Sequence, residues 1–414
     1  MFYKALPRRA SHRKKESNMQ VYADNAATTK MSRTAIEAML PYMDEIYGNP
    51  SSLHSAGQRA AEALQTARES IATDLNASPR EIYFTSGGSE ADNQAIISAA
   101  RLGQRKGKMH IVSTAFEHHA VLHTLDRLRA QGFAIELLPV PRDGVLRPAE
   151  IEARLTADTA FVSVMTVNNE IGTIEPIQEI AGIAAEHKVL FHTDAVQAAG
   201  QLPINVHRDK IDMLSMSAHK FHGPRGIGVL YVRRGIRPYT LISGGAQEKG
   251  RRAGTENLPA IAGMAAALED AVSGMEERGR TMTALRERLI AGLSKIPYSF
   301  LNGEREKRLP GNVSFCFEGI EGESLLLHLD FKGIAASSGS ACTSGSLDPS
   351  HVLLACGLPH EIAHGSLRLT ISADNTAEEM DYISAATAET VSLLRSMSPV
   401  WDKLERGELA HFER

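Results

Sequence analysis

Cysteine is scarce in this 414-residue sequence: Cys316, Cys342 and Cys356 are the three it contains. So few, so scattered, supply neither a disulfide framework nor a zinc knuckle. They point to a reducing, cytoplasmic setting in which one thiol is free to react. Charge of one sign is lacking too. Lys and Arg number 45 and Asp and Glu 49, a formal net charge of −4, so no whole-protein attraction to nucleic acid or an anionic membrane is expected. No uninterrupted apolar run approaches the ~20 residues needed to cross a bilayer, and no internal repeat is visible. What remains is a globular balance, 43% hydrophobic and 23% charged. At this length, two or three folded units and a large core are expected.

The first 18 residues stand apart. Lys4, Arg8, Arg9, Arg13, Lys14 and Lys15 face a single Glu16, without the apolar stretch of a secretory signal. Residues 1–18 are expected to form a disordered basic extension, with Met19 just before the first strand. Beyond it, short β-rich runs alternate with helical patterns. Helices are expected over 32–47, over 56–75 and from Ser89. Strands are expected over 81–85, 109–113, 134–139, 160–165, 189–192, 213–216 and 228–232. This alternation predicts an α/β fold with a mainly parallel sheet covered on both faces. The rhythm changes after about residue 272, where a helix over 275–294, a strand over 311–317 and a helix over 324–331 are expected. The reading is a large domain over 32–272 and a smaller α+β domain built from 19–31 and 273–414.

Four segments carry chemistry. In Thr85-Ser86-Gly87-Gly88-Ser89-Glu90, a strand, two glycines and a helix start would present backbone N–H groups to an anion. Alone, this reads better as a tight turn with Ser89 as a plain N-cap, and the lysine of a Walker A motif is missing. In Phe191-His192-Thr193-Asp194-Ala195-Val196-Gln197, Asp194 ends an apolar strand, where parallel sheets place ligand-binding groups. It could as well cap the next helix. Lys220 lies in Ser215-Met216-Ser217-Ala218-His219-Lys220-Phe221-His222-Gly223, a crowd of Ser, His and Gly that favours an amine nucleophile over the ordinary surface lysine. Cys342 lies in Ser337-Ser338-Gly339-Ser340-Ala341-Cys342-Thr343-Ser344-Gly345-Ser346. That small-residue stretch suits an exposed thiol that must visit two places, although an incidental surface cysteine reads the same way. Cys316, within Val313-Ser314-Phe315-Cys316-Phe317, and Cys356, at a helix end, read as core.

Together, and in this order, the four segments resemble the cysteine desulfurases, a branch of the class V aminotransferase family. The supporting stretches are 22–29, 48–54, Glu117-His118, Asn168-Asn169-Glu170-Ile171-Gly172 and Arg251-Arg252-Ala253-Gly254-Thr255-Glu256-Asn257. The resemblance is nearest to the nitrogen-fixation type, then to the iron–sulfur-assembly type. It implies the fold type I of pyridoxal-phosphate-dependent transferases, with a mainly parallel seven-stranded sheet. It also implies site roles. Lys220 carries pyridoxal 5′-phosphate covalently, and Asp194 pairs with the pyridine nitrogen. Gln197 and Asn169 bond the phenolic oxygen side, while His118 stacks on the ring and moves protons. Gly88, Ser89, Ser217 and His219 hold the phosphate. Thr255 reaches the phosphate of a neighbouring subunit, so a homodimer is implied. Arg368, with Asn169, clamps the substrate carboxylate.

The implied reaction takes sulfur from L-cysteine. The Cys342 thiolate attacks the substrate sulfur, the carbon–sulfur pair stays with carbon, and protonation gives L-alanine. The persulfide on Cys342 then supplies an iron–sulfur scaffold protein, and Cys342 could also touch a cluster metal during transfer. Two relatives of the same family are the alternatives, a selenocysteine lyase and an aminotransferase; the latter needs no nucleophilic cysteine.

Overall fold

The computed structural model describes residues 19–339 and 348–413. Twelve strands lie among them: β1 (Val21–Tyr22), β2 (Ile82–Thr85), β3 (His110–Thr114), β4 (Ala134–Leu138), β5 (Thr159–Ser163), β6 (Leu190–Asp194), β7 (Met213–Ser217), β8 (Gly228–Val232), β9 (Ser299–Leu301), β10 (Asn312–Phe317), β11 (Ile334–Ala335) and β12 (Ser366–Thr370). Seven of them form one sheet in the order β2-β8-β7-β6-β5-β3-β4. Within it β8 runs antiparallel to both of its neighbours, and the remaining pairs are parallel. This is the α/β architecture, mainly parallel and seven-stranded, that the sequence led us to expect.

The sheet is apolar on both faces because successive side chains alternate between them. Ile111, Phe161, Met213 and Leu230 join one buried cluster, with residues of the helices Gly88–Gln104 and His119–Arg129. Their chain neighbours Val112, Val162, Leu214 and Val229 join the other, with the helices Ser55–Asp74, Ile177–Glu186 and Leu258–Ser273. Burial on both faces explains why these strands read in the sequence as unbroken apolar runs.

A second framework follows. The antiparallel sheet β12-β10-β9 packs with the helices Met275–Leu293, Gly322–Phe331 and Ala377–Ser396 around a separate core that includes Phe315, Phe317, Leu367 and Leu369. The short β1 pairs with β11 and brings the segment that follows it to the main sheet, where the Thr29 amide donates to the His219 carbonyl at 2.9 Å.

One expected helix is not continuous. In place of 32–47 there are two pieces, Arg33–Met39 and Pro41–Asp44. Pro41 has no N–H for the hydrogen-bond ladder and its ring crowds the preceding turn, so the first helix stops at its threshold.

Candidate active site

Strands β6 and β7 deliver side chains to one rim of the large sheet. Asp194, the last residue of β6, is 5% exposed and accepts a hydrogen bond from the Val196 amide at 2.8 Å. Burial pushes its carboxyl up to about 6, against the pull of that amide and of the Lys220 charge. A buried carboxylate of this kind calls for a cation or an N–H donor. Asp92 lies close behind it, 1% exposed, its carboxyl pushed well up by burial and then by the negative charge of Asp194. Asp92, Asp194 and His118 offer polar atoms all within 4.8 Å of one another.

Lys220 sits on a single tight turn, Ala218–Lys220, directly after β7. Its Nζ donates to the carbonyls of Ala26 at 2.5 Å and Ala27 at 2.9 Å. The Gln197 amide also donates to the Ala26 carbonyl, at 3.1 Å. The segment after β1 thus holds the lysine and the glutamine together.

His118 precedes the helix His119–Arg129 and caps it, Nδ1 accepting from the Ala120 amide at 3.1 Å. The proton of the neutral ring therefore sits on Nε2. Burial, then the Lys220 charge, lowers the imidazole to about 4, so the ring is neutral in ordinary buffers.

Gly88 and Ser89 open a 17-residue helix, whose first N–H groups have no partner within the helix. A Cβ at 88 would lie 2.6 Å from Val196 Cγ2, so a side chain there would force Val196 to shift. Ser217, at the end of β7, is buried. The Nδ1 of His219 is 3.2 Å from Thr28 Oγ1, and burial lowers that imidazole to about 4.

Arg368 arrives from the other framework. It sits mid-strand in β12, 3% exposed, and donates to the Asn169 carbonyl at 3.2 Å and the Asp24 carboxylate at 3.0 Å. Its Nε has no hydrogen-bond partner among the described residues. Nearby, Glu170 accepts from the Ser350 hydroxyl, and burial pushes its carboxyl up to about 7.

These groups line one cavity of about 440 Å³. Gly88, Ser89, Ser217 and His219 are there, and so are His118, Asn169, Asp194, Gln197, Lys220 and Arg368. Thr255 is exposed on a loop and is not part of the lining. Cys342 lies outside the described residues. The other two cysteines are buried: Cys316 in β10, Cys356 at the end of the helix His351–Ala355. Sequence reasoning missed Asp92, His119 and His351, which also line the cavity. The sequence signals no more of Asp92 than that it follows Ser89 by three residues and shares its helix face. A larger cleft of about 930 Å³ beside Arg288 and Trp401 has neither histidine nor cysteine in its described lining; the chemistry belongs to the smaller cavity.

Comparison with known proteins agrees with this geometry. The aminotransferase class-V family matches residues 21–383. A protein of Methanosarcina thermophila named cysteine desulfurase IscS is 53% identical over 386 residues, 93% of this chain and 95% of that relative. A cysteine desulfurase IscS of Clostridium botulinum (strain Hall) is 50% identical over 388 residues, 93% of this chain and 98% of its own. A solved structure described as a NifS-like protein superposes with a TM-score of 0.85 at 38% identity, covering 91% of this chain and 100% of that one. The class V aminotransferases and their cysteine desulfurases are pyridoxal-phosphate-dependent enzymes.

Proposed function

We propose, starting from the fact that this chain belongs to the class V aminotransferase family and is one of its cysteine desulfurases, that the cavity binds pyridoxal phosphate and L-cysteine together. The observation that carries the reading is the meeting of Lys220, Asp194, His118 and Arg368 in one cavity of about 440 Å³. When bound, the cofactor supplies an electron sink for the pair left on the substrate α-carbon.

The residues fit that group. Asp194 is a buried carboxylate in want of a cation, which a protonated ring nitrogen provides. Lys220 supplies the amine that carries the cofactor. The helix end at Gly88 and Ser89, with Ser217 and His219, receives the phosphate, and Gln197 and Asn169 serve the phenolic oxygen side. His118 presents a neutral ring with its proton on Nε2, suited to stacking and to moving protons. Arg368, with one N–H unpartnered and Asn169 beside it, takes the substrate carboxylate. Cys342 accepts the sulfur: a sulfur–sulfur bond forms, the carbon–sulfur bond breaks with its pair on carbon, and a proton completes L-alanine.

The enzyme is read as a homodimer in which the exposed Thr255 serves the partner's phosphate. The Cys342 persulfide goes to an iron–sulfur scaffold protein, and Cys342 could meet cluster metal there. The setting is read as cytoplasmic, where reducing conditions keep the Cys342 thiol reactive; among the described residues no helix is long and apolar enough to cross a membrane.

The test is incubation with L-cysteine and a reductant, measuring sulfide and alanine in the same sample. Equal amounts of the two are expected. Sulfide without alanine, or normal alanine formation by Cys342→Ser, would overturn the reading.

A further inference from the structure

Three histidines gather beside the cavity without a part in the chemistry above. His119 and His123 stand four residues apart on the helix His119–Arg129, so their side chains share one face. Their ring centroids are 5.1 Å apart. His351, the first residue of the helix His351–Ala355, comes from a distant part of the chain, and its ring centroid lies 4.5 Å from that of His119.

The hydrogen bonding fixes which nitrogens are available. His351 Nε2 is 3.0 Å from the Glu117 carbonyl. A carbonyl only accepts, so Nε2 carries the proton and Nδ1 keeps its lone pair. Metal-binding histidines are commonly held in this way, the second ring nitrogen donating to a backbone carbonyl. Among the described residues, the rings of His119 and His123 have no hydrogen-bond partner. The three rings form one contiguous group in which His119 touches both of the others.

We propose that His119, His123 and His351 form a site for one borderline divalent transition-metal ion, of the class of Zn²⁺, Ni²⁺ or Co²⁺. Imidazole suits these ions, and two ring nitrogens on one tetrahedral ion lie about 3.3 Å apart. The rings now meet at 39° and 48° rather than converging on a point. Uptake therefore requires side-chain rotation, which the exposed His123 can make at little cost. Because His119 and His351 line the cavity, a bound ion would stand at its wall and narrow the path of cysteine to Arg368.

Two other groups could take a metal, and the test separates them. The Asp92, His118 and Asp194 trio belongs to the cofactor site and is covered in the cofactor-loaded enzyme. Cys342 is removed by Cys342→Ser. Zn²⁺ or Ni²⁺ alone is titrated calorimetrically into cofactor-loaded Cys342→Ser protein. One ion per chain is expected, with affinity lowered at least tenfold by adding His123→Gln and abolished by adding His119→Gln as well. Unchanged cofactor absorbance and circular dichroism certify the fold, and His123→Ala serves if the Gln variant is damaged. Equal affinity with and without the two substitutions would overturn the site, as would no uptake by the parent up to about 1 mM metal.

Discussion

The two cations of the site, Lys220 and Arg368, come from two frameworks that present their residues in opposite ways. The seven-stranded sheet places Lys220 just past the end of β7, and Asp194 at the end of β6. In a parallel sheet, strand ends are where the backbone turns away and side chains can face a ligand. The three-stranded sheet instead offers Arg368 from the middle of β12, opposite Ser314 of β10, at 3% exposure. A guanidinium there must be satisfied within the protein, and Asp24 and Asn169 do so. Removal of one should therefore cost chemistry alone, and removal of the other both chemistry and fold.

The largest effect is expected at Lys220. We expect Lys220→Ala to lose more than about a thousandfold in turnover, the order associated with deleting a covalent nucleophile, with its melting temperature little changed. Borohydride reduction followed by peptide mass analysis should fix the cofactor to residue 220 in the wild type and not in the variant. An undiminished adduct in Lys220→Ala would break the comparison at its root.

That asymmetry also governed what could be read beforehand. Asp194 and Lys220 each follow an unbroken apolar run, and the change from Val and Leu to Ser, His and Asp marks a strand end in the sequence itself. Arg368 lies in Ser366-Leu367-Arg368-Leu369-Thr370, which reads as alternation with the arginine on a solvent face. Only resemblance to a family indicated otherwise, because the partners that permit its burial are 344 and 199 residues away. Asp92 stayed hidden for a related reason: it is one polar residue on a helix face, and only tertiary packing shows that this face is buried against Asp194. The break at Pro41 was locally legible, and the helical pattern on either side of it obscured the stop.

Next in size is Arg368→Ala. If the arginine holds the substrate carboxylate, KM for cysteine should rise about ten- to a hundredfold, the scale of a lost charge-assisted pair of hydrogen bonds. Thermal unfolding should fall with it, since Asp24 loses its partner. Asp24→Asn tests the second half alone: a lower melting temperature with a smaller change in KM. A rise in KM for Arg368→Ala without any loss of stability would show that burial in β12 places no demand on the fold.

A smaller, pH-dependent effect sits where the large sheet meets the later chain. Glu170 accepts from Ser350, and burial pushes its carboxyl from 4.5 up to about 7. The folded protein thus keeps a proton that the unfolded chain has already released. Its contribution to stability is full below about pH 4.5, falls as pH rises to about 7, and is constant beyond. Glu170→Gln cannot ionise, so its melting temperature should fall less between pH 5 and pH 8 than that of the wild type. Parallel curves for the two proteins would show that Glu170 is ionised in the fold throughout.

The smallest expected effect concerns the two cysteines on the frameworks. Cys316 lies in β10, fully buried, with the Asn302 amide 3.4 Å from its sulfur. Burial pushes the Cys356 thiol up to about 12, so the nucleophilic thiolate is nearly absent at pH 8. Iodoacetamide should therefore leave both unmodified in the native protein and label both once it is unfolded in urea. Cys316→Ser and Cys356→Ser should keep sulfide production close to that of the wild type. Each should lose on the order of 1–3 kcal/mol of stability, because a hydroxyl replaces an apolar sulfur in a packed site. Mass analysis after treatment with cysteine should find the added sulfur on the peptide containing Cys342. Extra sulfur on Cys316 or Cys356 would move the nucleophile onto a framework, and the division between a fixed scaffold and a separate sulfur carrier would fail.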